Sequence, residues 1–236
     1  MEFEKFEKDG SSYWHWKYED YLPYVKPTKE DIKNAPRPFI LRDIPADWPI
    51  GFVNTSPDGL TNIIKLEDSF EKLPIDPDLR KDLRRIDRKN AETRIVNNEK
   101  NILEKSSAWF LEQWKEIPEE FEQRLELWKK TAYTISAYQG ETLLAVHIAM
   151  IEEKTVYYLG CWWNREYKNL SVPIFLLKKD IEQAIKNKLE YYDLGVGDEP
   201  YKKQWGVIEK PVKYYAEIPK QLAEKLELKE FVEIKE

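Results

Sequence analysis

The stretch that decides the fold is YDLGVGDEPYKKQWG, residues 192–206. Its first residues complete an apolar strand that we predict over Glu190 to Val196. The acidic pair Asp198 and Glu199 then favours the start of a short helix, because carboxylates stabilise helix N-termini. Near the end of the stretch, Trp205 is predicted to be an anchor in the core. Strand, acidic turn, short helix and aromatic anchor are therefore expected in close succession.

A long amphipathic helix is predicted before this strand. Ser171 can cap it, and Pro173 is tolerated in its first turn. Its apolar face consists of Ile174, Leu177, Ile181, Ala184 and Ile185. A helix of this length between two strands is a crossover connection, so Thr155–Trp163 and Glu190–Val196 are predicted to be parallel neighbours.

Three strands separated by polar turns precede the crossover helix and predict an antiparallel meander. They are Ala132–Tyr138, Thr142–Glu152 and Thr155–Trp163. A short strand over Glu92 to Val96 and two helices come before them, the first capped by Asn98 and the second beginning at Pro118. After the decisive stretch we predict a last strand over Pro211 to Ile218 and a peripheral helix over Pro219 to Leu228.

A strongly basic helix is predicted after Asp76, which can cap it. Its apolar face is formed by Leu79, Leu83 and Ile86, at helical spacing. Its remaining surface carries Arg80, Lys81, Arg84, Arg85, Arg88 and Lys89. A solvated face is the favoured interpretation of these charges, and an anion site for a phosphorylated cofactor or substrate is the alternative.

Composition excludes several classes of function. The chain has 236 residues and a formal net charge of -6, which argues against a general nucleic-acid binder. An apolar run long enough to span a bilayer and the features of a signal peptide are both missing from the sequence, so we expect a cytoplasmic location and no membrane partner. One cysteine and two histidines give no basis for a disulfide or a metal cage, and we predict no metal.

The predicted order of elements resembles that of the GNAT acyltransferases. Residues 192–206 resemble, more narrowly, the acetyltransferase family found in cellulose and exopolysaccharide biosynthesis proteins, in which an aromatic-Asp-apolar strand leads through Gly-Asp-Glu-x-Tyr-Lys to Trp-Gly. The resemblance extends from Leu79 to Val207. It implies an α+β GNAT (acyl-CoA N-acyltransferase) fold with a mixed central sheet flanked by helices. The implied organisation is an N-terminal extension (1–78), the acyltransferase domain (79–218), and a C-terminal helix and tail (219–236).

The chain departs from that family at the start of the crossover helix. The family opens this helix with Ser-Pro-Gly, whereas residues 171–174 are Ser-Val-Pro-Ile. Glycine allows close backbone approach to a pyrophosphate, and Pro173 has no N–H to donate. Proline here resembles the Fem-type peptidyltransferases, GNAT relatives that take their acyl group from aminoacyl-tRNA. Acyl-CoA and aminoacyl-tRNA therefore both stay open as donors.

The resemblance implies that the pantetheine arm of acetyl-CoA, or of another acyl-CoA, hydrogen-bonds to the strand Thr155–Trp163 as though it were an added strand. The implied cofactor-binding residues are Leu159, Gly160, Cys161, Trp162, Ser171 and Lys202, and a backbone N–H near Gly160 or Cys161 would face the thioester oxygen. Tyr201 is the candidate general acid for the leaving thiolate. Asp198 and Glu199 are candidate catalytic residues that hold the acceptor amine or pass its proton to water; alternatively, they only cap the short helix.

Two other reactive side chains need an interpretation. Nothing near Cys161 in the sequence lowers its pKa, and direct transfer needs no acyl-enzyme, so we predict a small buried apolar residue. His147, on the middle strand of the meander, is either a base near the cleft or a packed strand residue, and the second is the commoner case.

The implied function is acyl-CoA-dependent transfer of an acetyl or other acyl group to a primary amine of a small molecule or amino sugar. One alternative is a Fem-like, aminoacyl-tRNA-dependent transferase, in which the basic helix would bind tRNA. The other is a catalytically inert GNAT fold that serves as a binding module. A nucleic-acid partner is expected only under the first alternative.

Overall fold

The structure, a computed structural model, describes residues 3–8, 11–16, 34–36, 39–45, 57–114 and 118–217. The chain divides into two compact units. The larger unit consists of Asn62–Gly195 and Glu199–Ile208, and the smaller unit of Met1–Thr61, Val196–Asp198 and Glu209–Glu236. The helix predicted over Pro219 to Leu228 lies outside the described residues.

The strands are β1 (Phe3–Lys8), β2 (Ser11–Trp16), β3 (Phe39–Pro45), β4 (Pro57–Lys65), β5 (Arg94–Asn97), β6 (Ala132–Gln139), β7 (Thr142–Glu152), β8 (Thr155–Trp163), β9 (Tyr191–Val196) and β10 (Ile208–Glu217). The α-helices are α1 (Pro77–Lys89), α2 (Ile102–Trp114), α3 (Pro118–Thr131), α4 (Val172–Lys186) and the single turn α5 (Pro200–Lys203). Two 3₁₀ helices, Phe70–Lys72 and Arg165–Leu170, precede α1 and α4.

The smaller unit contains β1, β2, β3 and most of β10. β1 and β2 form an antiparallel hairpin, in which Phe3 lies opposite Trp16. β2 then pairs in parallel with β3, and β3 pairs antiparallel with β10.

The sheet of the larger unit has the strand order β4-β9-β8-β7-β6-β5, to which β4 contributes its residues from Asn62 onward. β5 to β8 are antiparallel neighbours, as the alternating apolar pattern and polar turns predict. β8 and β9 are parallel and are connected through α4. The predicted meander, the crossover and the mixed sheet are therefore confirmed.

Helices cover both faces of this sheet. Side chains of β7 alternate between the faces, so Ala145 and Ala149 point to one face and Val146 and Ile148 to the other. The first face packs against α1 and α4 through buried residues that include Leu79, Leu83, Ile86, Leu177, Ile181 and Ala184. The second face packs against α2 and α3 through Ile102, Leu103, Phe110, Leu125 and Trp128.

Three residues were predicted to cap α1, α2 and α4, namely Asp76, Asn98 and Ser171; the first cap is confirmed and the other two are wrong. Asp76 Oδ1 accepts a hydrogen bond from Asp78 N at 2.8 Å and caps α1. Asn98 does not cap α2, which begins at Ile102; its Oδ1 accepts from the backbone N–H of Thr134 on β6 instead. Ser171 makes no side-chain capping bond, because its backbone is left-handed (φ 53°) rather than extended as a capping residue requires.

Within the described ranges, no helix is both long enough and apolar enough to cross a membrane.

Candidate functional site

β8 and β9 separate after a short paired segment. They pair from Thr155 opposite Tyr191 to Tyr157 opposite Asp193, whereas β8 continues to Trp163. On its other side, β8 stays paired with β7 but contains a bulge at Leu159, because Gly160 lies opposite Ile148 and Tyr158 opposite Ala149. A bulge bends a strand and increases its twist. Within the part of the chain that the structure describes, no strand pairs with this side of β8 beyond Tyr157, so the C-terminal half of β8 has a free edge. We call the space between the two diverging strands the gap.

Gly160 lies next to the bulge and has a φ of 157°, a conformation that L side chains rarely adopt. No atom lies within 4 Å of the position that a Cβ would occupy at this residue. Backbone conformation, not lack of space, is therefore what favours glycine here.

The direction of the hydrogen bonds identifies which backbone groups face the gap. Asn164 N donates to Leu144 O on β7 at 2.8 Å. Peptide groups alternate along a strand, so those of Trp162 and Gly160 also face β7, and the N–H and C=O of Cys161 face the free edge. The Cys161 carbonyl accepts a hydrogen bond from Gln113 Nε2 of α2 at 3.1 Å. The Cys161 N–H is therefore the better candidate of the two predicted donors.

The side chains of the predicted cofactor-binding strand point into the core. Trp162 is fully buried, with its ring 5.1 Å from that of Phe110 and stacked at 6.1 Å on that of Trp128. Leu159 packs against the same cluster. The side chain of Trp162 is therefore closed to a ligand, whereas the backbone and the partly exposed Leu159 stay accessible.

Cys161 is buried among apolar side chains, 3% exposed. Burial raises the pKa of its thiol, which keeps the sulfur protonated. The prediction that it is a small buried apolar residue is confirmed.

The loop after β9 is held by its own polar residues. Asp193 Oδ1 accepts from Gly195 N at 2.7 Å, and the Gly195 carbonyl accepts from Asn62 Nδ2 at 3.2 Å and from Lys202 Nζ at 3.3 Å. Lys202 is 4% exposed, and its ammonium lies 2.8 Å from Glu199 Oε2. These contacts are internal to the larger unit, and the role of Lys202 in binding an anionic group stays a prediction.

The two predicted acidic residues are both exposed, but they belong to different units. Asp198 is in the smaller unit with Val196 and Gly197, and Glu199 is in the larger unit. Glu199 occupies the N-cap position of α5, but its side chain makes no capping hydrogen bond. Its carboxylate pairs with Lys202 instead, so the capping interpretation is wrong for Glu199.

Tyr201 is half-buried in α5 and retains its proton at neutral pH. Burial, and then the negative charge of Glu199, raise the pKa of its phenol to about 12. Burial likewise raises the pKa of Tyr158 on β8, with contributions from Cys161, Tyr201 and Glu199. Tyr201 and Tyr158 pack against the same core cluster, and the hydroxyl of Tyr201 is neutral.

His147 belongs to a buried polar network and does not face the gap. It is fully buried, and its Nε2 lies 2.9 Å from Asp180 Oδ2 and 3.2 Å from the hydroxyl of Tyr192. Tyr133 and Tyr192 donate their hydroxyls to Asp180 at 2.7 and 2.6 Å, and burial with the Asp180 charge raises the pKa of both phenols. The interpretation of His147 as a packed residue is confirmed. Sequence analysis missed Asp180, although a lone aspartate among the apolar positions of an amphipathic helix was the available signal.

The basic end of α1 lies against the segment that precedes α4. Lys89 Nζ donates to the carbonyl of Asn169 at 2.7 Å, and Asn90 Nδ2 donates to that of Leu170 at 2.8 Å. Exposed basic side chains on these two touching segments are Arg84, Arg85, Arg88, Arg165 and Lys168. The start of α4 therefore has a positively charged neighbourhood. Among the described residues, no group of three His, Cys, Asp or Glu side chains is placed to hold a metal ion.

Residues 77–203 match the family model described as Acetyltransferase (GNAT) domain. The match covers more than half of the chain, and the protein belongs to this GNAT family. The predicted resemblance and the α+β GNAT fold are confirmed. No curated protein is similar enough in sequence to count as a match.

Solved structures agree with this assignment. The C-terminal domain (DUF2156) of an Agrobacterium fabrum protein described as a lysylphosphatidylglycerol synthetase aligns with a TM-score of 0.66 at 12% identity, over 95% of this chain and 83% of that chain. FemX aligns with a TM-score of 0.63 at 12% identity, over 84% and 76%. L-PGS from Bacillus licheniformis aligns with a TM-score of 0.55 at 12% identity, over 80% and 71%. At 12% sequence identity, these structural similarities show that the fold is shared and nothing more.

Proposed function

We propose that this protein is an N-acyltransferase that moves an acetyl or other acyl group from acyl-CoA to a primary amine of a small molecule or amino sugar. The observation that carries the proposal is the free edge of β8, which begins where β9 leaves it after Tyr157. An extended, amide-containing pantetheine arm can bind such an edge as an added strand. Membership of the GNAT family supports the acyl-transfer part of this proposal.

The backbone N–H of Cys161 is the proposed donor to the thioester oxygen. It lies on the free edge, just after the bulge at Leu159. Negative charge develops on this oxygen during acyl transfer. A hydrogen-bond donor already held in place lowers the activation barrier, because the site does not have to reorganise. The buried thiol of the same residue takes no part.

Tyr201 is proposed to stabilise the leaving thiolate by donating a hydrogen bond. Its pKa of about 12 exceeds the reference thiol value of about 8.5 by about 3.5 pKa units, so full proton transfer would be uphill by about 5 kcal/mol. A neutral phenol that shares its proton avoids this cost. Glu199 and Lys202 would hold α5 in place, and Asp198 stays a candidate for binding the acceptor amine.

The donor phosphates are proposed to lie by the start of α4, next to the basic end of α1. Pro173 removes one N–H from the first turn of α4, which weakens a site made from backbone amides alone. The exposed Arg88 and Arg165 supply positive charge on the segments that flank this turn. This arrangement supports the anion-site interpretation of the basic helix.

A Fem-like transfer from aminoacyl-tRNA is the second candidate. The proline in the first turn of α4 is the observation that favours it, and the fold likeness to FemX and to the lysylphosphatidylglycerol synthetase domain is compatible with it. The positive charge at the end of α1 suits the phosphates of either donor.

Titration calorimetry with CoA, acetyl-CoA and bulk tRNA tests the proposal, followed by transfer assays with acetyl-CoA and a panel of amines. We expect CoA to bind with a Kd below about 1 mM, the range of ordinary enzyme substrates. Tyr201→Phe should lower turnover about a hundredfold and leave the Kd of CoA unchanged. Tyr138→Phe, on strand β6, is the matched control and should change neither the turnover nor the Kd of CoA.

Each outcome separates the candidates. Binding of tRNA without binding of CoA would replace the proposal by the Fem-like candidate. Binding of CoA with no transfer to any amine would indicate an inert binding module. Unchanged turnover in Tyr201→Phe would remove Tyr201 from the mechanism.

A further inference from the structure

We propose that Gln113 of α2 is a donor-specificity residue, which occupies the free edge of β8 and competes with a donor that carries amide N–H groups. The inference rests on the proposed function, because it concerns the same edge that would bind pantetheine. It assigns to this side chain a role in choosing the donor.

The position of Gln113 supports this role. Its Nε2 donates to the carbonyl of Cys161 at 3.1 Å, and this carbonyl faces the gap left by β9. The neighbouring turn of α2 is fixed to β8 by the contact between Phe110 and Trp162, whose ring centroids are 5.1 Å apart. The half-buried carboxamide of Gln113 therefore takes the place that the N–H of an added strand would occupy.

The contact is also weak enough to be displaced. Among the described residues, the Gln113 side chain makes no hydrogen bond other than this neutral one. One net neutral hydrogen bond corresponds to about a fivefold change in an equilibrium constant. A pantetheine amide that pairs with this edge competes with Gln113 for the Cys161 carbonyl, whereas an aminoacyl ester, which has no amide N–H in that position, does not compete for it.

Calorimetry with two probes on four forms of the full chain tests the proposal. The forms are wild type, Gln113→Ala, Gln113→Met and the control Glu112→Ala, at the exposed neighbouring position of α2. The probes are CoA and adenosine 3′,5′-bisphosphate, which lacks the pantetheine arm. We expect both Gln113 variants to bind CoA about fivefold more tightly than wild type and Glu112→Ala, with the affinity for adenosine 3′,5′-bisphosphate unchanged.

Gln113→Met keeps the bulk of the side chain and loses only the donor, so it isolates the hydrogen bond. Tighter CoA binding in Gln113→Ala but not in Gln113→Met would overturn the hydrogen-bond competition in favour of a steric effect. A gain for both probes alike would also overturn it, because the pantetheine arm would not be the part affected.

The results separate this inference from the proposed function. Equal affinity for CoA in all four forms overturns the role of Gln113 and leaves acyl-CoA as the donor. Binding of CoA by the Gln113 variants but not by wild type supports the role of Gln113 and rejects acyl-CoA as the natural donor. Absence of CoA binding in every form overturns both.

Discussion

Replacing Asp180 by alanine removes the centre of the buried network that joins α4 to β6, β7 and β9. Asp180 is 1% exposed, accepts the hydroxyls of Tyr133 and Tyr192, and lies 2.9 Å from His147 Nε2. The substitution leaves two phenol hydroxyls and one imidazole nitrogen without these partners. The Tyr133 hydroxyl is then orphaned, whereas the Tyr192 hydroxyl and His147 Nε2, 3.2 Å apart, keep each other as partners. An orphaned buried polar group costs about 1–3 kcal/mol, so the free energy of unfolding should fall by at least that amount.

Urea denaturation of wild type, Asp180→Ala and Glu182→Ala measures this cost. Glu182 is on the same helix and forms partly exposed ion pairs with Lys178 and Lys179, so its loss should cost less than about 1 kcal/mol. Asp180→Asn retains one oxygen acceptor and should fall between the two. A loss in Asp180→Ala as small as that in Glu182→Ala would refute the argument that this network stabilises the fold.

Three further predictions test the loop, the alkaline limit of stability and the basic helix. Gly206→Ala should lower the free energy of unfolding by about 2–5 kcal/mol in the same denaturation assay, because φ is 68° and a Cβ would lie 2.3 Å from a backbone oxygen. Gly160→Ala, where a Cβ would lie in open space, should lower it by only about 1–2 kcal/mol. Burial and the hydrogen bond to a glutamate raise the pKa of Tyr138 from 10.0 to about 12. The contribution of Tyr138 to folding stability is therefore complete below about pH 10 and is lost as the pH rises towards 12. Melting curves at increasing pH should show a smaller fall in melting temperature for Tyr138→Phe than for wild type. Arg84→Ala and Arg88→Ala should change the free energy of unfolding by less than about 0.5 kcal/mol. If the donor phosphates bind at this end of the helix, Arg88→Ala will also weaken CoA binding by a factor that shrinks with added salt. Calorimetry at two ionic strengths measures this salt dependence.

Most of the fold was predictable because its signals are local. The bounds of β7 and β8 coincide with the predicted Thr142–Glu152 and Thr155–Trp163, since alternating apolar residues and polar turns depend only on neighbours along the chain. The parallel pairing of β8 with β9 followed from the length of the helix between them. The two wrong caps show the limit of this approach. A short polar side chain such as Asn98 has several possible partners, and the one it binds, Thr134, is distant in sequence.

The candidate site was less predictable, because its contacts join distant parts of the chain. Gln113 meets Cys161 only after α2 has packed on β8, and Asn62 reaches Gly195 from β4. Each is an ordinary polar residue in its own sequence context, and nothing local distinguishes it from a solvated side chain. Tyr201 was identified through the family resemblance, and its catalytic role stays a prediction.

The pattern of polar residues in the stretch 192–206 has a structural cause. Asp193 holds the N–H of Gly195, Lys202 binds the carbonyl of the same glycine, and Glu199 pairs with Lys202. Asp193, Glu199 and Lys202 thus fix the backbone of the stretch, and Tyr201 packs against the same core cluster as Tyr158 of β8. Such a stretch specifies the shape of the loop and the place of one hydroxyl, but it makes none of the contacts that distinguish acyl-CoA from aminoacyl-tRNA. The contacts that we propose to distinguish the two donors belong to Gln113 and to the first turn of α4, so this stretch assigns the fold, and calorimetry with CoA and tRNA assigns the donor.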